Sequence, residues 1–231
     1  MSNTGAYQLE RQKTRLGFER AAHSYDQAAV LQRAVGINLM ERLDWIKLVP
    51  EQVLDLGCGT GAISEALLKR YAKARVIGLD LAPSMVAMTC KRRHWWRQPI
   101  GVCADVHALP FAPQSFDMLI SNLMLQWCND LVPVFKQCVE VLRPQGLLTF
   151  ATLGPDTLKE LRASWRHVDG NPHVSQFTDM HDIGDALLAA GFRDPVVDRE
   201  DMIVTYDQAQ GLLRDLKAIG ANNAAQGRAK G

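Results

Sequence analysis

The sequence lacks the residue spacings and the long apolar runs that mark several classes of protein. Its 231 residues include five cysteines, an odd number that is scattered along the chain and never in C-x-x-C spacing. We therefore expect reduced thiols in a cytoplasmic protein rather than a disulfide framework or a zinc site. The six histidines show no ligand spacing, so no metal site is predicted. No apolar run approaches the length of a membrane span, and we expect no membrane association.

Net charge is also nearly absent. Lys and Arg number 26 and Asp and Glu number 25, which leaves a charge of +1. A chain so balanced has no global field that would attract nucleic acid, so nucleic acid is not expected as a partner. The remaining composition, with 47% apolar and 22% charged residues, is that of an ordinary folded protein that is long enough to bury a core.

The hydrophobic pattern divides the chain into three predicted parts. Residues 1–48 carry apolar side chains at helical spacing and predict an N-terminal helical lid. Residues 49–206 alternate short apolar runs with helix-length segments, which is typical of a doubly wound, mainly parallel α/β sheet. Residues 207–231 predict a helix and a polar tail. Strands are expected at 52–57, 75–80, 101–105, 116–122 and 147–153, with a sixth within 195–206.

A glycine-rich loop follows the first predicted strand and opens a helix. Its glycines are Gly57, Gly59 and Gly61. Glycine lets the backbone turn tightly and approach a ligand, and the helix beyond offers unpaired N–H groups. A nucleotide is therefore expected against this loop. The loop alone does not identify the nucleotide, because its spacing also fits the dinucleotide fingerprint.

Three carboxylates help to choose between the possible nucleotides. Asp80 ends the second predicted strand, where it can accept hydrogen bonds from the ribose hydroxyls of either NAD or S-adenosylmethionine. Asp105 ends the third and could accept from an adenine amine. Asp55, inside the first strand, would be costly to bury alone, so we expect loop N–H groups or a cationic ligand beside it. An anionic diphosphate would not be drawn to three carboxylates, and the pattern therefore favours S-adenosylmethionine.

Several motifs then resemble those of known families. Five of them, in order, are similar to the motifs of class I S-adenosylmethionine-dependent methyltransferases: VLDLGCGTG (53–61), GLDLAPSM (78–85), ADVHALPF (104–111), SFD (115–117) and LRPQG (142–146). Three more segments resemble the biotin-pathway malonyl-acyl-carrier-protein O-methyltransferases: FERAAHSY (18–25), SNLMLQWC (121–128) and LKAIGA (216–221). The resemblance implies a Rossmann-like methyltransferase fold.

The resemblance also implies an activity and a set of cofactor-binding residues. The activity is methyl transfer from S-adenosylmethionine to the free carboxylate of malonyl on acyl carrier protein or coenzyme A, on the way to pimelate and biotin. The glycines and Asp55 would hold the methionine part and backbone of the cofactor, and Asp80 would hold the ribose. The other implied cofactor residues are Phe18, Leu81 and Met85, which would pack near it, Asp105 and Val106 at the adenine, and Asn122 under the methyl donor.

The acceptor side is predicted from side chains that could orient a carboxylate. That carboxylate is ionised near neutral pH, so no general base is required. Tyr25 and Trp127 are the candidate catalytic residues, because a hydroxyl and an indole N–H could orient the acceptor oxygen; simple packing is the alternative for both. Arg214 and Lys217 share one face of the last helix and could bind the malonyl carboxylate or a carrier phosphate. A solvated cationic face is their alternative.

A basic and aromatic run occupies residues 91–97 (KRRHWWR). It could dock an acidic carrier protein. The same cations would also favour the dipole at the end of a predicted helix, so the run alone does not identify a partner.

The end of the sequence departs from the family pattern. The class I methyltransferase sheet normally has seven strands, and only six are predicted here. We hypothesise a C-terminally shortened member whose sixth strand pairs with the fifth or leaves an exposed edge. Two other functions stay open: a methyltransferase for another small acid or a quinone precursor, and a non-catalytic assembly or binding protein that keeps the cofactor fold. Oligomeric state is not predicted.

Overall fold

The computed structural model of the chain describes residues 9–168 and 173–221. In this part of the chain the strands are β1 (Gln52–Leu56), β2 (Arg75–Asp80), β3 (Ile100–Cys103), β4 (Phe116–Asn122) and β5 (Leu142–Ala151). The helices are α1 (Arg11–Ala21), α2 (Tyr25–Ala28), α3 (Val30–Arg42), α4 (Ala62–Arg70), α5 (Pro83–Thr89), α6 (Leu131–Val141), α7 (Lys159–Arg166), α8 (Met180–Ala190) and α9 (Ala209–Ala218). None of these helices has the length and apolarity needed to cross a bilayer.

The five strands form one parallel sheet in the order β3-β2-β1-β4-β5. The strand order reverses between β1 and β4, where Val53 pairs with Met118. In open α/β sheets, ligands bind at such a switch point, outside the carboxyl ends of the strands. The predicted doubly wound α/β fold is confirmed.

Both faces of the sheet are covered, which explains why its strands read as continuous apolar runs. Leu54 and Leu56 of β1 belong to a cluster that includes Phe135 of α6 and Leu187 of α8. Val53, which precedes them and points to the opposite face, belongs to a second cluster with residues of α3 and α4. The central strands β2, β1 and β4 therefore form a buried layer, and a ligand has to approach it along the carboxyl edge of the sheet.

The N-terminal helices pack on the sheet rather than standing apart from it. Leu9 exchanges two hydrogen bonds with Asn129, and the hydroxyl of Ser84 donates to Glu19 at 2.7 Å. Ala22, with Phe18 and Tyr25 beside it, packs against Ala82 and Met85 at the carboxyl end of β2. The helices α1 and α2 thus cover the edge where the motifs predict the cofactor.

The predicted sixth strand is wrong. Residues 195–206 form neither helix nor strand, and the side chains of Val196 and Ile203 are 94% and 88% exposed. Surface ion pairs hold the segment instead: Arg42 lies 2.6 Å from Asp198, and Arg199 lies 2.9 Å from Asp156. A β-branched run becomes a strand only where it finds a sheet partner, and the outer edge of β5 pairs with no described residue. The predicted polar tail lies largely outside the described residues.

Several boundaries also differ from prediction by a few residues. β3 ends at Cys103 rather than at 105, so Asp105 stands just beyond the strand. β5 begins at Leu142, five residues before the predicted start at 147, because Leu142 pairs with Phe116 across an irregular register. These shifts leave Asp80 and Asn122 at the last positions of their strands.

Candidate active site

The glycine-rich loop turns sharply between β1 and α4. Gly57, Gly59 and Gly61 have φ angles of 70°, 54° and 86°, which L side chains rarely adopt. A Cβ at position 57 would lie 2.3 Å from Cγ of Met124, whereas a Cβ at position 59 would meet nothing within 4 Å. The loop is therefore packed at Gly57 and open at Gly59, and the open space lies where a ligand can approach the backbone.

Asp80 joins the end of β2 to this loop. Its Oδ2 accepts the N–H of Gly59 and its Oδ1 accepts the N–H of Ala82, both at 2.9 Å. Burial raises the pKa of this carboxyl above its usual value. Each carboxylate oxygen has more than one lone pair, so Asp80 can still accept from a ribose. Leu81 follows directly, and Met85, five residues after Asp80, is buried in a cluster with Ala22 and Ala82.

Asp55 is 1% exposed and lies beneath the loop. The hydroxyl of Ser64 in α4 donates to its Oδ2 at 2.6 Å, in place of the loop N–H groups expected from the sequence. Burial, with the nearby charge of Asp80, raises the pKa of Asp55 to about 7. A cation placed beside Asp55 would favour its ionised form.

Asp105 lies just past β3 and is fully partnered. The His107 N–H donates to its Oδ1 at 2.9 Å, ring atom Nδ1 of His107 lies 2.7 Å from the same oxygen, and Arg11 of α1 lies 3.2 Å from Oδ2. Burial would raise the pKa of Asp105, but the hydrogen bonds from His107 and the charge of Arg11 lower it overall. The neighbouring Val106 is buried. Sequence reasoning missed Arg11, which stands 94 residues away along the chain.

Asn122 ends β4 at the switch point and carries an unpartnered acceptor. Its Nδ2 donates to the carbonyl of Gln32 in α3 at 2.9 Å, while its Oδ1 is buried and accepts no hydrogen bond. A buried acceptor without a donor costs free energy. The residue is therefore suited to a ligand that brings a donor or a positive charge, as S-adenosylmethionine does.

Phe18, Tyr25 and Trp127 come together beside the loop. The rings of Phe18 and Trp127 meet edge to face, with centroids 5.1 Å apart. Neither the Tyr25 hydroxyl nor the Trp127 indole N–H is hydrogen-bonded to a described residue. Burial, with the charges of Asp80 and Asp26, raises the pKa of Tyr25, so its hydroxyl stays protonated. All three side chains line a cavity of about 1170 Å³ that continues past β5.

Arg214 and Lys217 are not brought to this cavity. Both are exposed on α9, and Nε of Arg214 donates to the carbonyl of Gln210 in the same helix at 3.3 Å. Leu212 and Leu216, on the other face of α9, line the cavity instead. The structure thus gathers the predicted cofactor residues and both candidate catalytic residues, but not the two predicted cations.

Comparisons with known proteins agree with this arrangement. A family model described as a methyltransferase domain matches residues 54–150. A malonyl-[acyl-carrier protein] O-methyltransferase of Methylovorus sp. (strain MP688) is 51% identical over 98% of this chain and 78% of its own length. A relative of the same name from Gallionella capsiferriformans (strain ES-2) is 49% identical over 96% of this chain and 79% of its own length.

A solved structure shows the same fold at much lower sequence identity. It is a SAM-dependent methyltransferase of Thermotoga maritima, described as a possible histamine N-methyltransferase. The likeness has a TM-score of 0.61 with 17% identity, and it covers 78% of this chain and 82% of that one. The predicted class I methyltransferase fold is confirmed.

Proposed function

We propose, because the chain belongs to the family of malonyl-[acyl-carrier protein] O-methyltransferases, that it methylates the free carboxylate of a malonyl thioester. The methyl donor is S-adenosylmethionine. The thioester is carried by acyl carrier protein or coenzyme A, and the methyl ester enters pimelate and biotin synthesis in the cytoplasm. In this proposal residues 1–48 act as a lid, residues 49–206 form the cofactor-binding core, and residues 207–231 are a third part whose helix α9 lines the acceptor-side cavity.

The cofactor residues divide the work of binding. S-adenosylmethionine supplies, when bound, an activated methyl group on a positively charged sulfur. Asp80 would accept from the ribose hydroxyls with the lone pairs that Gly59 and Ala82 leave free. Asp105 and Val106 would receive the adenine. The buried, unpartnered Oδ1 of Asn122 would stabilise the positive part of the donor.

Tyr25 and Trp127 orient the acceptor. The malonyl carboxylate is already ionised, because reference carboxyl pKa values lie near 4, so the protein needs no base. The raised pKa of Tyr25 keeps its hydroxyl a neutral donor, which holds an oxygen without withdrawing its electrons as strongly as a cation would. The edge-to-face contact of Phe18 with Trp127 helps to exclude water. Positioning in a dry site is the main source of rate for such a displacement.

One observation carries the proposal: Tyr25 lies at both the proposed cofactor site and the proposed acceptor site. It packs against Met85 and Ala82 at the cofactor side, and it also lines the large cavity on the acceptor side. A donor group at this place can touch an acceptor oxygen while the cofactor is bound. The free indole N–H of Trp127 lines the same cavity and provides a second donor.

The test is transfer of labelled methyl from S-adenosylmethionine to malonyl-acyl carrier protein and to malonyl-coenzyme A. We expect a base-labile ester with at least one of them, and the ratio of the two rates identifies the carrier. Acetyl thioesters of the same carriers are the matched controls, because they lack the free carboxylate and should remain unlabelled.

Calorimetry measures the binding of S-adenosylmethionine separately from methyl transfer. Cofactor binding without labelling of either malonyl thioester would contradict the proposal and favour a non-catalytic protein. Labelling of a different small acid, with both malonyl thioesters inert, would favour another methyltransferase. Growth of a biotin auxotroph that lacks this methyltransferase, when the chain is supplied, would support the pathway.

A further inference from the structure

Three side chains meet where the N-terminal helices, the glycine-rich loop and the end of α5 come together. We call them the Asp26–Thr60–Arg92 cluster. The Thr60 hydroxyl donates to Oδ1 of Asp26 at 2.5 Å, and Nη2 of Arg92 lies 2.5 Å from Oδ2 of Asp26. Nε of Arg92 also donates to the Thr60 carbonyl at 2.8 Å. One guanidinium thus binds both the helices and the loop.

The cluster connects helix α2, which carries Tyr25, to the glycine-rich loop. Asp26 directly follows Tyr25 in α2, and Thr60 stands between Gly59 and Gly61. A shift of α2 away from the sheet would therefore move Tyr25 and break a contact of the loop in the same step.

The basic run at residues 91–97 divides into two kinds of cation. Lys91 and Arg93 are exposed and form no ion pair with a described residue. Arg92 instead contacts Asp26, Thr60 and, at 3.6 Å, Glu65 of α4. Arg97 donates to the carbonyls of Leu68 and Tyr71. Of the cations in this run, only Lys91 and Arg93 are therefore available to contact an acidic carrier protein.

The cluster differs from an ordinary surface ion pair, which contributes little to stability. The Asp26 side chain is 46% exposed, but the Arg92 side chain is 28% exposed and Thr60, which bonds to both of them, is 3% exposed. A shared buried hydroxyl makes the three contacts interdependent, and networks of this kind show non-additive effects when they are cut.

We propose that Asp26 and Arg92 are positioning residues that keep Tyr25 over the cofactor and the glycine-rich loop in its binding form. This inference rests on the proposed function. When the cluster is broken, the closed arrangement is less populated, and the apparent affinity for the cofactor falls in proportion to the closed fraction.

The test is a double-mutant cycle read by two methods that need no methyl transfer. Asp26→Asn, Arg92→Gln and the double variant are compared with Arg93→Gln, an exposed cation outside the cluster. Calorimetry measures the affinity for S-adenosylmethionine, and hydrogen exchange measures the protection of the amides of α2. Each single variant should lose about tenfold in affinity and in protection, and the double variant should lose no more than either single one. Arg93→Gln should match the wild type.

Two results would overturn the inference. One is an additive loss of about a hundredfold in the double variant, and the other is unchanged α2 protection in Arg92→Gln. Thr60→Ser, which keeps the hydroxyl, should retain both readouts, whereas Thr60→Val should lose them. If malonyl thioesters are not methylated while this cycle shows coupling, the proposed function fails and the positioning role stands.

Discussion

The cofactor side and the acceptor side of the sheet hold their polar groups in different ways. At the ends of β1 and β2, carboxylates that are buried, as Asp55 is, or half-buried, as Asp80 is, accept close hydrogen bonds. Beyond β5, charges pair at the surface, as Arg42 does with Asp198, both about half exposed. Buried, hydrogen-bonded groups fix one geometry, whereas exposed ion pairs contribute little and break easily. The proposed cofactor side is therefore preorganised, whereas the proposed acceptor side can change its shape more easily.

The largest expected effect is on the cofactor side. Asp80→Ala should lower the affinity for S-adenosylmethionine by about a thousandfold, because the carboxylate would no longer accept hydrogen bonds from the two ribose hydroxyls. Asp198→Ala, the matched change on the acceptor side, should leave this affinity within about twofold, since it removes only a surface pair. Calorimetry gives both values, and circular dichroism checks that the fold persists. Equal losses of affinity in the two variants would contradict the difference between the cofactor side and the acceptor side.

The buried carboxyl of Asp55 predicts a dependence of stability on pH. Because its folded-state pKa is raised to about 7, its contribution is fully present below the unfolded value near 4 and is lost as pH rises through 7. The loss is about 4 kcal/mol as an upper bound, from the difference in pKa. Denaturant unfolding of wild type and Asp55→Asn from pH 4 to 8 measures it. The wild type should lose stability relative to the variant, and parallel curves would refute the buried state of Asp55.

Two of the three glycines of the loop, Gly57 and Gly59, should respond differently to alanine. Gly57→Ala places a Cβ against Met124 and should cost about 2 kcal/mol of unfolding free energy. Gly59→Ala meets open space and should cost about 1 kcal/mol, from its left-handed φ. Its larger effect should be on cofactor binding, because the new methyl group enters the predicted site. Denaturation and calorimetry of both variants separate packing from binding, and identical profiles would contradict the difference.

The smallest expected effect is that of Tyr25, which lies between the proposed cofactor side and the proposed acceptor side. Tyr25→Phe removes one hydroxyl and keeps the ring that packs on Met85. It should lower kcat for methyl transfer by about tenfold, because one hydrogen bond contributes about 0.5–1.5 kcal/mol, and it should change cofactor affinity little. Single-turnover rates and calorimetry measure the two separately. Equal losses in both would count against an acceptor role for this hydroxyl.

The sequence predicted those parts of the molecule that depend on nearby residues. β1, β2 and β4 follow from short apolar runs, and Asp80 and Asn122 follow from their places at strand ends. The contacts of Arg92 with Asp26 and of Asn122 with Gln32 could not be predicted, because the partners stand 66 and 90 residues apart. The prediction of a sixth strand was wrong for a related reason. A segment becomes a strand only beside the edge of another strand, and the local sequence does not show whether such an edge is near.

The pairing of β1 with both β2 and β4 also bears on the order in which the chain folds. The contact between Gly59 and Asp80 spans 21 residues, whereas that between Leu56 and Ser121 spans 65. Contacts between residues that are close in sequence form sooner than long-range ones. We therefore expect the β1-α4-β2 unit, with its glycine-rich loop tied to Asp80, to form before β4 pairs with β1. The nucleotide side would then be the template on which the acceptor side closes.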